Sequence, residues 1–135
     1  MKTILIVDDE KNIVSGLEEA VTLESYNVLT AYDGKEAWDK VNTNNVDLVI
    51  TDLRMPMMNG NELVEKISSS YPTLPVIVLT GHGTIETAVE SMRRGAVDFF
   101  TKPVDLDKLF LVVKKCLANS ELQEQNKKLT EEIEK

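Results

Sequence analysis

Short apolar runs alternate with amphipathic segments along most of the chain, and this alternation restricts the fold more than any other feature. The runs are rich in Val, Ile and Leu, which is typical of parallel strands covered on both faces. The predicted strands are residues 4–7, 28–31, 46–51, 76–79 and 97–100. Each is followed by apolar residues at three- and four-residue steps, the spacing of a helix that buries one side. Five such units indicate right-handed crossovers and a parallel sheet with helices on both faces.

Each predicted helix carries one apolar stripe. Asp33 with Glu36, and Asn59 with Glu62, have capping-box spacing and mark the starts of the second and third helices. About 118 residues hold the five units, too few for a closed eight-unit barrel, so we expect an open doubly wound α/β sheet. The stripes are Ile13, Leu17, Ala20 and Val21; Ala37, Trp38 and Val41; Leu63, Val64 and Ile67; Ile85, Ala88, Val89 and Met92; and Leu106, Leu109, Phe110, Val113 and Leu117.

Composition excludes several classes of protein. The single cysteine, Cys116, rules out a disulfide framework and a cysteine-based zinc site. No apolar run approaches the roughly 20 residues of a membrane span, and the apolar start is too short for a signal peptide. We therefore expect a cytoplasmic protein that does not contact a membrane. The net charge of 15 − 23 = −8 disfavours direct nucleic-acid binding.

The last segment, residues 119–135, has a different pattern. It contains no Gly or Pro, and its apolar residues are few. Four residues at sequence steps of four, three and four predict a helical, coiled-coil linker. One of its core positions is an Asn, which favours a two-stranded parallel dimer. A solvated, frayed helix is the alternative. We expect one domain over residues 1–118 and a linker leading to an output domain absent from this sequence. The linker seam is Leu122, Asn126, Leu129 and Ile133.

Charged and hydroxyl side chains follow the ends of four predicted strands. Asp8 and Asp9 follow the first strand, Asp52 the third, Thr80 the fourth and Lys102 the fifth. In a doubly wound sheet these ends meet near a switch in strand order. Two like charges 4 Å apart repel by about 4 kcal/mol at an effective dielectric of 20, so three carboxylates need a cation. Oxygen ligands of this kind suit Mg²⁺. Alternatively, the paired aspartates cap the first helix.

These residue types form a set for phosphoryl transfer. A cation and a lysine neutralise phosphoryl oxygens, and an aspartate that attacks phosphorus becomes an acyl phosphate. Other chemistries lack their residues: no Ser-His-Asp set is visible around His82, the only histidine, and neither a phosphate-binding P-loop nor a dinucleotide-binding glycine motif is present.

Four motifs, LIVDDE, VITDLRMPMMNG, VIVLTG and FFTKP, occur in the order and spacing of a known family. Over residues 2–119 the sequence resembles the receiver domain of two-component response regulators. The resemblance implies the CheY-like, flavodoxin-like (βα)5 fold with strand order 2-1-3-4-5. The stretch from Gly81 to Asp105 resembles more narrowly the receivers of NtrC-type sigma-54 activators, which often join receiver to ATPase through a dimerising helix.

The resemblance also implies residue roles. Asp52 is the phosphoacceptor, and Mg²⁺ is held by Asp8, Asp9, Asp52 and the backbone carbonyl of Arg54. Lys102 and Thr80 contact the phosphoryl group. Thr80 and Phe99 form the switch, with Phe where receivers often have Tyr, and the Lys102-Pro103 bond is cis.

By the same resemblance the domain is a switch rather than an enzyme, with at most slow self-dephosphorylation. A histidine kinase donates the phosphoryl group, and the face of the fourth helix, fifth strand and fifth helix changes. That change alters a homodimer and controls the output domain, with transcription regulation the expected result.

Three rival functions share part of this residue pattern. A haloacid-dehalogenase-type phosphatase usually has a second acid two residues after the nucleophile, where this chain has Arg54. A flavodoxin-like electron carrier needs a phosphate loop without the three acids at Asp8, Asp9 and Glu10. A stand-alone adaptor would share the phosphosite but lack an output domain.

Some residues keep two interpretations. Either Phe99 or Phe100 belongs to the core, since adjacent strand residues face opposite sides. Met55, Met57 and Met58 form either a partner surface or loop packing. His82 is either a solvated loop residue or a modest modulator of the pocket.

Overall fold

The computed structural model describes residues 1–55, 57–81 and 83–118 of the 135-residue chain. The elements are β1 (Thr3–Val7), α1 (Lys11–Leu23), β2 (Asn27–Ala31), α2 (Gly34–Thr43), β3 (Leu48–Thr51), α3 (Gly60–Ser70), β4 (Val76–Thr80), α4 (Ile85–Arg94) and β5 (Asp98–Thr101). Residues 106–118 are helical and are called α5. The predicted linker seam, Leu122, Asn126, Leu129 and Ile133, lies outside the described residues.

The five strands form one parallel sheet in the order β2-β1-β3-β4-β5. This confirms the predicted fold and strand order. The third strand begins at Leu48 and not at Val46 as predicted. Asp47 makes a local connection to β1 instead: its backbone N–H donates to Thr3 O over 2.9 Å, and its carboxylate accepts from Thr3 N over 2.8 Å.

The sheet separates two hydrophobic cores. Ile4 and Ile6 of β1 belong to one core, which includes residues of α1 and α5, whereas Leu5 and Val7 belong to the other, which includes residues of α2 and α3. Because successive side chains of β1 point to opposite faces of the sheet, this one strand contributes to both cores. Burial of each such side chain contributes roughly 1.5–3 kcal/mol. The described part of the chain contains no helix long and apolar enough to cross a membrane.

The fourth helix departs from the expected packing. Its stripe was predicted to face the sheet, but Ile85, Val89 and Met92 are 85%, 52% and 45% exposed. The only fully buried residue of α4 is Ser91, whose hydroxyl donates to Asn61 Oδ1 of α3 over 3.1 Å. Polar contacts thus contribute to the attachment of α4 to α3, and much of its apolar stripe faces solvent.

Ion pairs at the end of α4 add to this polar seam. Arg94 Nε lies 2.8 Å from Glu90 Oε1 within the helix, and its NH1 lies 3.0 Å from Glu65 Oε2 of α3. Hydrogen bonding to Glu90, together with the charge of Glu65, raises the pKa of Arg94 despite a smaller opposing effect of desolvation. Both ion pairs of Arg94 are thus made within the chain.

The end of α1 contains a residue in an unfavourable conformation. Ser25 has φ of 69°, the left-handed region that favours glycine. Its N–H donates to Thr22 O, and the N–H of Tyr26 donates to Val21 O, the bond pattern of a Schellman cap. The exposed serine side chain occupies the position where helices usually end in glycine.

We expect Ser25→Gly to stabilise the domain by about 1 kcal/mol, because it removes left-handed strain worth roughly 1–2 kcal/mol against a smaller backbone-entropy cost. Ser15→Gly, an exposed change inside α1, should instead cost about 0.5 kcal/mol. Urea unfolding of both variants measures the difference. Equal destabilisation by the two would contradict the strain at position 25.

Candidate functional site

The carboxyl ends of β1 and β3 bring three carboxylates together. Val7 pairs with Thr51 in the β1–β3 register, so Asp8 and Asp52 leave the sheet side by side. Carboxylate oxygens of Asp8, Asp9 and Asp52 all lie within 4.8 Å of one another. Asp8 and Asp52 are 2% and 6% exposed, whereas Asp9 faces solvent. The cluster is thus open on one side and buried on the other.

Lys102 reaches this cluster from the far edge strand. Its Nζ lies 2.6 Å from Asp8 Oδ2 and 3.0 Å from Asp52 Oδ2, and its side chain is largely buried. The lysine is aimed from the end of β5, where its N–H donates to Thr80 O over 2.9 Å. The Lys102-Pro103 peptide bond is cis, the isomer that the resemblance implies. One cation therefore bridges carboxylates from two other strands.

Burial and pairing act against each other at this site. Burial raises the pKa of Asp8, and the hydrogen bonds and charge of Lys102 only partly oppose it. Burial also acts to lower the pKa of Lys102, but hydrogen bonds to Asp8 and Asp52 outweigh it, so the lysine pKa is raised. The lysine remains protonated at neutral pH, while burial makes the charged form of Asp8 less favourable than in water. One lysine does not balance three carboxylates, which leaves room for a further cation.

The donor set fits a magnesium ion. Three carboxylate oxygens at this spacing match the hard-oxygen ligands of Mg²⁺, which keeps waters in its remaining positions. Arg54 follows Asp52 by two residues and its side chain is exposed; ligation by its backbone carbonyl stays a prediction.

The alternative interpretation of the paired aspartates as a helix cap is wrong. Glu10 is the N-cap residue of α1, and no side chain caps that helix. Asp8 instead accepts from Glu10 N over 3.0 Å through Oδ1 and from Lys102 through Oδ2. Its carboxylate is therefore oriented by the strand–helix turn and directed toward the lysine.

The predicted switch residues lie near the same edge of the sheet. Thr80 is fully buried at the end of β4. Phe99 packs against the core of α2 and α3, whereas Phe100 packs against the core of α1 and α5, so the two rings face opposite sides as expected. The switching roles of Thr80 and Phe99 stay predictions.

The loop after Asp52 divides the methionines between two roles. Met55 and Met58 are partly buried against the core, and Met57 is 76% exposed with φ of 71°. Met55 and Met58 thus pack against the core, and a partner surface at Met57 stays a prediction. His82 lies outside the described residues.

Sequence reasoning missed one residue that shapes the site. A Cβ atom at Gly60 would overlap the backbone oxygen of Asp52, and the Gly60 N–H donates to Leu53 O over 2.8 Å. Glycine therefore lets the first turn of α3 pack directly against the strand end that carries Asp52. The signal available in the sequence was a glycine just after the Asn59 cap.

A family model described as the response regulator receiver domain matches residues 4–114. The chain belongs to this family. The match covers all five strands and places the receiver between β1 and α5.

Relatives of this receiver are transcription regulators. The transcriptional regulatory protein GlrR of Escherichia coli (strain K12) is 42% identical over 117 residues, which is 87% of this chain and 26% of that protein. The DNA-binding transcriptional regulator NtrC of Klebsiella pneumoniae is 35% identical over 120 residues, 89% of this chain and 26% of that protein. The chain thus spans about a quarter of the length of the curated relatives it matches.

A solved structure agrees with the fold. The solution structure of the beryllofluoride-activated NtrC4 receiver domain dimer has a TM-score of 0.83 and 33% identity, covering 89% of this chain and 99% of that chain. The resemblance to NtrC-type receivers that the sequence indicated is confirmed.

We expect Asp8→Asn to raise the unfolding temperature of the metal-free receiver at pH 7. Burial raises the Asp8 pKa, so this group stabilises the fold below its unfolded pKa of 3.8 and loses that contribution as pH rises through the folded pKa. Mg²⁺ at about ten times its Kd should stabilise the wild type by about 1.4 kcal/mol. That gain should vanish in Asp8→Asn.

Asp9→Asn is the matched control, because Asp9 belongs to the cluster but is exposed. It should lose the Mg²⁺ effect with little change in metal-free stability. Thermal unfolding with and without Mg²⁺ measures both variants. An undiminished Mg²⁺ response in Asp8→Asn and Asp9→Asn would exclude this cluster as the metal site.

Proposed function

We propose that this receiver domain is a phosphorylation-activated switch in which Asp52 accepts a phosphoryl group from a histidine kinase. The observation that carries the proposal is the convergence of Lys102 on Asp8 and Asp52, at 2.6 and 3.0 Å, beside exposed Asp9. The family membership supports it independently.

The transfer is a substitution at phosphorus. A carboxylate oxygen of Asp52 forms a bond to phosphorus while the phosphorus–nitrogen bond to the kinase's imidazole breaks. The imidazole leaves with the bonding electrons and takes up a proton, and the product is an acyl phosphate. Bound Mg²⁺ would supply positive charge to the phosphoryl oxygens. Lys102 holds a second positive charge beside Asp52, so the receiver contributes mainly positioning and electrostatics.

Phosphorylation adds negative charge where Lys102 and Thr80 lie close to the strand ends. We infer that both move toward the phosphoryl group, that the β4–α4 loop follows, and that Phe99 changes its packing. The face formed by α4, β5 and α5 is then remodelled, as a two-state element biased by a local charge. The light attachment of α4 supports this, because Ser91 is its only fully buried residue.

The remodelled face is proposed to control a homodimer and, through it, an output domain in the full-length protein. The relatives GlrR and NtrC support a role in transcription regulation. Arg54 stands where an acid-assisted phosphatase would have its second carboxylate, which supports a switch with at most slow self-dephosphorylation. Direct nucleic-acid or membrane contact by this segment is not expected, and the cytoplasmic location stays a prediction.

Acetyl phosphate with Mg²⁺ should add one phosphate to the wild-type chain, and Asp52→Asn should remove that product entirely. Asp39→Asn, an exposed carboxylate change on α2, is the matched control and should behave as the wild type. Intact mass spectrometry in acid, compared with and without EDTA, measures the product. Metal-independent labelling, labelling that survives Asp52→Asn, or rapid repeated turnover of the donor would each reject the switch.

Two candidate surfaces for the dimer can be separated. If α4 carries the interface, Val89→Glu should weaken dimerisation about tenfold or more, a cost of about 1.4 kcal/mol. Leu23→Glu, a change at an exposed apolar site on α1, should have no effect. If the linker seam carries it, Leu129→Asp should be the disruptive change. Sedimentation equilibrium with and without beryllofluoride distinguishes them, and dimers unaffected by both variants would reject both surfaces.

A further inference from the structure

Gly83, three residues past the end of β4, lies directly against β5. Thr80 pairs with Thr101 in the β4–β5 register. Three residues after Thr80, a Cβ atom at Gly83 would overlap the Cγ2 methyl of Thr101 and would lie 3.0 and 3.3 Å from Cε1 and Cζ of the Phe99 ring. The backbone at position 83 therefore lies against the Phe99 ring and the Thr101 methyl, and it does so because no side chain intervenes.

The other glycine of this loop has a different environment. A Cβ atom at Gly81 would lie 4.0 Å from its nearest neighbour, Lys102 Cδ, which is an ordinary contact distance. Among described glycines the positive φ belongs to Gly95, so Gly83 is required for space and not for a left-handed backbone. The two loop glycines thus differ in one property, close approach to β5.

The residue after Gly83 begins α4. Thr84 is its N-cap: the Thr84 hydroxyl accepts from Thr87 N over 3.1 Å, and Thr84 N donates to Thr87 Oγ1 over 2.8 Å. This reciprocal pair fixes the first turn to the loop. A displacement of Gly83 is consequently passed to a helix that is held elsewhere mainly by Ser91, Arg94 and their partners on α3.

We propose that Gly83 is the positioning residue that couples the β4–α4 loop to Phe99 and β5, and so passes the state of the phosphosite to α4. This inference rests on the proposed function, because it assigns a route to the same switch. The loop carries Thr80 at one end and the α4 cap at the other. Because Gly83 contacts the Phe99 ring, the position of the loop and the position of the ring depend on each other. An added methyl group at position 83 would push the loop away from the ring.

The test compares four variants with the wild type: Gly83→Ala, Gly81→Ala, Thr101→Ser and Gly83→Ala/Thr101→Ser. Fluorine NMR of bound beryllofluoride reports occupancy of Asp52, and hydrogen exchange of the α4 amides reports the response. In the wild type and Gly81→Ala, beryllofluoride with Mg²⁺ should change α4 exchange rates by about threefold or more. Gly83→Ala should bind beryllofluoride but lose most of that response.

The two variants with Thr101→Ser distinguish a specific loss of contact between the loop and β5 from a general loss of stability. Thr101 is exposed, so Thr101→Ser leaves the fold intact while removing the methyl group beneath the loop. It should weaken the response alone, and combined with Gly83→Ala it should restore at least half of it, because the new methyl group fills the vacated space. This rescue also decides the matter if Gly83→Ala alone folds poorly.

Each outcome has a distinct meaning. A full α4 response in Gly83→Ala, or no rescue by Thr101→Ser, overturns the role of Gly83 and leaves the phosphorylation switch intact. Absence of any α4 response in the wild type with beryllofluoride bound overturns the proposed function itself. Equal loss in Gly81→Ala and Gly83→Ala assigns the effect to loop stiffness and also overturns the role of Gly83.

Discussion

The pairing of Lys102 with Asp8 and Asp52 is the interaction on which this receiver depends. It joins three strand ends, and it neutralises carboxylates that the fold buries at the centre of the sheet. Removing Lys102 should cost about 3–5 kcal/mol, because the buried carboxylates of Asp8 and Asp52 would then lose the cation that they share. The strand order makes the pairing possible by setting β1 beside β3 and leaving β5 within a lysine's reach. The geometry of the site therefore follows directly from the order of the strands.

Most of the fold follows from local patterns that the sequence displays. Apolar runs identified all five strands, and parallel pairing then required their carboxyl ends to meet at one edge. Asp8, Asp52 and Lys102 could be brought together on that basis because each directly follows a strand. The helix caps at Asp33 and Asn59 also form as predicted, each accepting from the backbone N–H three residues later.

The remaining features depend on contacts between distant segments, which periodicity does not report. The stripe of α4 indicated a helix with one apolar side but not what would cover that side, and α3 meets it with polar groups instead. Close approaches at Gly60 and Gly83 arise from backbone positions that only the assembled sheet defines. The third strand starts two residues later than predicted, and Asp47, just before it, accepts a hydrogen bond from Thr3 N of the neighbouring strand through its carboxylate.

The strand order also bears on how the protein is made. Of the five strands β1 is synthesised first and lies between β2 and β3, and the lysine that pairs with its aspartate comes 94 residues later. At synthesis rates of roughly 5–20 residues per second, the acidic end of the nascent sheet stays without its internal cation for several seconds. The site formed by Asp8, Asp52 and Lys102 is thus among the last parts of the domain to be completed during synthesis.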